Sequence, residues 1–123
     1  MSYLKNRKNA FVYAFFGIYQ SFKTETNLKL HIFISFLVIT AGFCFSISKA
    51  DWFMVLLCIT LVITLEMFNS AIEKLCDLYT KEQNQKIKYI KDVCAGAVLF
   101  ASAFASIVGC MIFWPYIKDL LSL

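Results

Sequence analysis

Three long apolar runs, about 28–46, 52–78 and 92–116, alternate with short polar stretches and occupy most of the chain. A helix needs about 20 residues to cross the hydrocarbon core of a bilayer, so the pattern predicts three transmembrane helices. Ahead of them, Phe11, Phe15, Ile18 and Phe22 recur at helical spacing beside Ala10 and Ala14, behind the basic cluster Lys5, Arg7 and Lys8. That periodicity predicts an amphipathic helix over about 5–22, lying in a membrane interface. Residues 24–27 break the pattern and read as a cap into the first crossing helix. Residues 46–51 read as a short turn, and 79–89 as a polar connection. The expected fold is an all-α membrane protein, a single membrane-embedded domain over 1–123 with an N-terminal surface helix and three spans.

Composition agrees with this outline. Hydrophobic residues make up 60% of the 123, Phe occurs 13 times, and Gly (4) and Pro (1) are scarce, which favours long uninterrupted helices. The net charge of +4 matters through its distribution. Lys5, Arg7, Lys8, Lys23 and Lys29 precede or open the first span, and Lys74, Lys81, Lys86, Lys88 and Lys91 lie between the second and third. The opposite ends carry only Lys49 and Lys118. The positive-inside rule therefore places the N-terminus and the 74–92 connection in the cytoplasm. Cys44, Cys58, Cys76, Cys94 and Cys110 are scattered singly and read as small packing residues, not as disulfides or zinc ligands. No signal peptide is evident.

The chemistry concentrates in residues 66–77, which continue the second apolar run without a turn signal. At about 100° per residue, Glu66, Asn69, Glu73 and Asp77 fall within roughly 80° on one helix face. A carboxylate at membrane depth requires a cation, a partner chain or a water-filled cleft. By the inferred topology Glu25 stands at the cytoplasmic level of Glu73, and two such carboxylates suit a hard divalent cation that bridges nucleotide phosphates. Lys91, at the mouth of the third helix beside Asp92, can neutralise charge on a transferring phosphoryl group. Glu66, the deepest of the set, can take a proton from an alcohol arriving laterally from the bilayer. Tyr13 offers a ring near the surface for stacking on a base. His31 reads as a hydrogen-bonded interfacial residue and not as a ligand. Ala97, Ala101, Ala105 and Gly109 form a ridge suited to helix packing in lipid. No glycine-rich phosphate loop is present, which excludes soluble kinase folds. The same inventory suits other classes: a proton- or cation-conducting small subunit without catalysis, or an accessory subunit in which the carboxylates only fix packing.

The residues Glu66-Met-Phe-Asn69-Ser70-Ala71-Ile72-Glu73, then Asp77, Lys91-Asp92 and Ala95-Gly96-Ala97-Val98-Leu99, resemble the signature of the small prokaryotic diacylglycerol kinase family, which includes undecaprenol kinases. The resemblance extends to Tyr13-Ala-Phe-Phe-Gly17 and Thr24-Glu25-Thr-Asn27, and so covers nearly the whole chain at unbroken spacing. It implies a homotrimeric bundle in the bacterial cytoplasmic membrane, with active sites shared between subunits that use ATP and Mg²⁺ to phosphorylate a lipid hydroxyl. Carried over by position, Glu66 is the general base and, with Asn69, the contact to the lipid substrate. Glu25 and Glu73 are the metal ligands. Tyr13, Glu25, Glu73, Asp77, Lys91 and Asp92 form the nucleotide site.

The N-terminal part departs from the family pattern, because its expected basic positions fall on Asn6 and Asn9, beside Arg7 and Lys8. Those two are left out of the site. His31 and the 91–97 run are more similar to the undecaprenol kinase branch than to the diacylglycerol kinase branch. Undecaprenol is accordingly the favoured acceptor and diacylglycerol the second.

Overall fold

The computed structural model describes residues 2–123, which form four helices: α1 (Ser2–Thr24), α2 (Thr26–Phe45), α3 (Lys49–Tyr79) and α4 (Gln85–Leu120). Among the described residues there is no strand. α2, α3 and α4 are each long and apolar enough to cross a membrane. α1 buries none of its residues, and Phe11, Phe15 and Phe16 are open on its surface. A helix that leaves such rings unpartnered has its apolar face turned to something outside the chain, as an interfacial helix does.

Each break between helices has a local cause. α1 and α2 are separated by one residue, Glu25, extended at φ −91° and ψ 116°, so the cap expected over 24–27 contracts to a single elbow. Its backbone still serves both helices, since its N–H donates to Ser21 O and its carbonyl accepts from Lys29 N. α2 ends on Ser46 in the left-handed region (φ 51°), where Ser46 N–H donates to Phe43 O and Ile47 N–H to Gly42 O. That paired closure is the Schellman arrangement, with buried Ile47 as its apolar seal. Ser48 then caps α3, its hydroxyl accepting from Asp51 N–H at 3.1 Å. Asn84 caps α4 by accepting from the N–H groups of Lys86 (2.9 Å) and Ile87 (3.3 Å). The cap starts α4 seven residues before the predicted span, so most of the expected 79–89 connection is helix. Lys and Gln are good helix formers, and a good N-cap outweighs their polarity.

α3 and α4 pack antiparallel and meet at two polar ties. Lys91 Nζ donates to Asp77 Oδ1 at 2.6 Å at one end, and Tyr116 Oη donates to Asp51 Oδ2 at 3.1 Å at the other. Along each helix the two tie points lie about 38 Å apart at 1.5 Å per residue, beyond the hydrocarbon thickness of about 30 Å. Between them the packed core, Ile47, Val55 and Ile112 with Phe45, Trp52, Phe113 and Tyr116, lies at the Asp51 end. The opposite end is left for polar groups.

The α2–α3 hairpin depends on Gly42. A Cβ there would stand 2.7 and 2.9 Å from the Trp52 ring, whose centroid lies 4.8 Å from that of Phe43. Gly42→Ala gains up to about 1 kcal/mol of intrinsic helix propensity, but overpacking against a ring wedged on both sides costs about 1–3 kcal/mol. Gly42→Ala is therefore expected to lower the unfolding midpoint in detergent. In a Trp52→Leu background, with the ring removed, the same change is expected to raise it.

Candidate functional site

α3 carries the site because it runs 31 residues, about 46 Å at 1.5 Å per residue, and so outreaches the hydrocarbon core of about 30 Å at one end. Its buried line Val55, Cys58, Val62, Glu66 and Asn69 follows helical spacing. Glu66 and Asn69 thus belong to the stripe that packs against the other helices. Glu66 is 3% exposed, Asn69 6% and Ser70 7%, whereas Glu73 and Asp77, one and two turns further on, are open. The one-faced carboxylate set is therefore graded, from a buried carboxylate to exposed ones.

α2 and α4 bring partners to each level. At the lowest, His31 Nε2 of α2 lies 3.9 Å from Glu66 Oε2. One turn up, Asn69 Nδ2 approaches Glu73 Oε1 at 3.5 Å, the outer limit of a hydrogen bond. Asn69 Oδ1 is buried without a partner. Above that, Glu25 leaves its cap role unfilled, and its carboxylate accepts from Lys74 Nζ of α3. At the top, Asp77 meets Lys91, and Asp92 meets Lys88 at 2.5 Å along α4. Tyr13 lies on the open surface of α1.

The structure thus places Glu25, Glu66, Asn69, Glu73, Asp77 and Lys91 in one polar column, whereas Asp92 pairs with Lys88 within α4 and Tyr13 stays on the open surface of α1. It pairs Glu25 with Lys74, the residue after Glu73. Among the described residues, no three His, Cys, Asp or Glu side chains gather closely enough to hold a metal by themselves, and Glu73 has no cation within 4 Å. Two contacts were not evident from the sequence. Lys74 as the partner of Glu25 spans 49 positions, and His31 beside Glu66 joins α2 to α3. The helical wheel of α3 marks the face but not which residues of α2 arrive there.

Below the column, α2, α3 and α4 enclose an open cleft of about 880 Å³. Its wall begins at His31 and continues through Val38, Val62 and Val55 to Ile112 and Trp114, nearly all apolar. Such an apolar wall suits a chain of methylene or isoprene units.

Electrostatically the top of the column is held as charged groups. The hydrogen bond to Asp77 pushes the Lys91 ammonium above the ordinary lysine range, aided by the charges of Asp77 and Glu73 and opposed by partial desolvation. A raised lysine pKa means that the Asp77–Lys91 tie is fully present below the ordinary lysine value of about 10.4. On the alkaline side it is lost as pH climbs through the raised value. Asp77→Asn is expected to return Lys91 to its ordinary range, read by NMR titration of the lysine side-chain nitrogen.

The family described as prokaryotic diacylglycerol kinase matches residues 12–113. An undecaprenol kinase of Bacillus subtilis (strain 168) is 35% identical over 106 residues, 86% of each chain. A diacylglycerol kinase of Synechocystis sp. is 34% identical over 89% of this chain and 63% of its own length. One of Haemophilus influenzae is 27% identical over 81% of this chain and 85% of its own.

Proposed function

The chain belongs to the prokaryotic diacylglycerol kinase family, and we propose that it transfers the γ-phosphoryl group of ATP to the hydroxyl of a membrane lipid alcohol, undecaprenol first and diacylglycerol second. The observation that carries this beyond family membership is the order of groups along α3. A buried carboxylate, Glu66, lies beside His31, which lines an apolar cleft, and ionic groups stack above it on the side where the helices outreach the membrane. Phosphoryl transfer asks mainly for positioning and charge stabilisation, and this order supplies both at a boundary between lipid and water.

Glu66 is the general base. It accepts the proton of the lipid hydroxyl as that oxygen attacks phosphorus. The Asn69 carboxamide beside it can donate from Nδ2 to the oxygen of the same hydroxyl and so orient it. Asp77, Lys91 and Asp92 bind the nucleotide with Tyr13. Lys91, held cationic by Asp77, faces the charge that builds on the phosphoryl oxygens.

The donors present suit Mg²⁺, which takes hard oxygens in an octahedron and is ordinarily held by one or two carboxylates plus phosphates and water. Glu25 and Glu73 are such a pair, and Glu73 is free of cations. When bound, Mg²⁺ neutralises the phosphate oxygens and orients them for in-line attack. Lys74 holds the Glu25 carboxylate in this structure and would have to release it to such a metal.

A homotrimer with shared sites agrees with the small-residue ridge of α4, which suits helix packing in lipid. The distribution of basic residues sets the N-terminus and the column on the cytoplasmic side of a bacterial cytoplasmic membrane, where ATP is available.

Transfer of label from γ-³²P-ATP to undecaprenol and to diacylglycerol, side by side in detergent micelles, tests the function. Labelled undecaprenyl phosphate is the expected major product, and no transfer to either lipid would overturn the assignment. Glu66→Gln is expected to lower turnover by at least about 100-fold, the usual size of a general-base contribution, with MgATP binding nearly intact. Normal turnover in Glu66→Gln would remove Glu66 from the role. Separately, Glu73→Gln is expected to raise the Mg²⁺ concentration needed for nucleotide binding. An unchanged requirement would show that Glu73 is not a ligand.

A further inference from the structure

Glu66 has a problem that its burial creates. Once it has taken a proton it must lose it before the next turnover, and with 4% of its side chain accessible it has almost no contact with surroundings outside the helices. One side chain within reach of its Oε2 that can accept a proton is His31, whose Nε2 stands 3.9 Å away and whose ring keeps 21% accessibility. Imidazole gains and loses a proton near neutral pH more readily than any other side chain. Contacts of this length in an empty site commonly shorten when substrate is bound.

The position of His31 adds to this. It is two turns into α2, below the Glu25–Lys74 pair and beside the cleft mouth. The other polar side chains in the cleft wall are hydroxyls and thiols, among them Ser35, Cys58, Ser102 and Ser106. Ser35 donates to the His31 backbone carbonyl at 2.7 Å, so its hydroxyl proton is committed within α2 and leaves the ring unengaged.

We propose that His31 is the proton outlet of the buried base, resting on Glu66 in that role. As the lipid oxygen bonds to the γ-phosphorus, the bond from phosphorus to the β–γ bridging oxygen breaks, and its electron pair leaves with ADP. The hydroxyl proton passes to Glu66, then to His31 Nε2, and an equivalent proton leaves the ring to water. The site ends with lipid phosphate, ADP, one released proton and an ionised Glu66. His31 thus acts through Glu66, as a positioning residue that also carries its proton.

The test compares His31→Ala and His31→Gln with the parent in detergent micelles. Both are expected to turn over about ten- to a hundredfold more slowly, below or at the low end of a full general-base loss, with MgATP affinity unchanged. In His31→Ala the missing ring leaves space at the cleft mouth, and added imidazole is expected to restore turnover in proportion to its concentration. In His31→Gln, which keeps a polar side chain in that space, imidazole is expected to restore little. Several results would overturn the proposal: turnover within twofold of the parent in His31→Gln, or a loss in His31→Ala that imidazole does not relieve while MgATP still binds. Normal turnover in both variants alongside an inactive Glu66→Gln would remove the outlet and leave the base in place. Normal turnover in Glu66→Gln would remove both.

Discussion

A carboxylate buried at the depth of Glu66 is the constraint from which the rest of this architecture follows. Charged groups cost several kcal/mol in the apolar part of a membrane unless they meet a partner or polar surroundings. α3 alone supplies only Asn69 and Ser70 nearby, so a second helix has to come to it. α2 does so by starting at a one-residue elbow and presenting His31 two turns later. The elbow in turn places Glu25 one level above, where its carboxylate faces α3 and not its own helix end. Glutamate is not among the side chains that favour an N-cap, which leaves that carboxylate available for another partner.

Vertical register is set by polar ties and a steric stop, while apolar packing fills in between. The Asp77–Lys91 and Asp51–Tyr116 contacts mark the two ends of the α3–α4 pair. Solvent-exposed pairs stabilise little, so their importance is alignment: a one-turn slip would separate both pairs together. At the opposite end the Trp52 ring sits where only glycine allows α2 to come so near. With the packed core gathered at that end, the polar column is held by ion pairs whose lysines are open to the surroundings.

Much of the fold could be read from periodicity. The apolar runs mark three spans, and the spacing of Phe11, Phe15, Ile18 and Phe22 marks the first helix. What escaped was local competition. α4 begins at Gln85 because the Asn84 side chain caps it, a contact that outweighs the polarity of residues 79–89. The site was legible as a helical face, Glu66 to Asp77, because one helix fixes those angles whatever surrounds it. The pairs Glu25–Lys74 and His31–Glu66 were not, because they depend on the rotation of α2 about its axis, which no pattern within α3 encodes. The nucleotide-binding roles given to Lys91 and Asp92 came from family resemblance, while the charge-neutralising role of Lys91 was read from its place at the helix mouth. Their ion pairs with Asp77 and Lys88 are what the structure adds.

A kinase of this kind has to bring together two molecules that share no solvent, a polyanion in water and an alcohol in lipid. Two separate sites would leave the γ-phosphorus and the hydroxyl too far apart for in-line attack, which needs reacting atoms about 3–3.5 Å apart. One helix that continues unbroken across the boundary avoids that separation, since groups one turn apart differ by only about 5 Å in depth. Glu66 and Glu73 are seven residues apart on α3, about 10 Å, so a single helix would hold both proposed ends of the reacting site. A kink or a break between them would put the proposed base and the proposed metal ligand on independent elements. The continuity of α3 from Lys49 to Tyr79 is therefore a chemical requirement as much as a structural one.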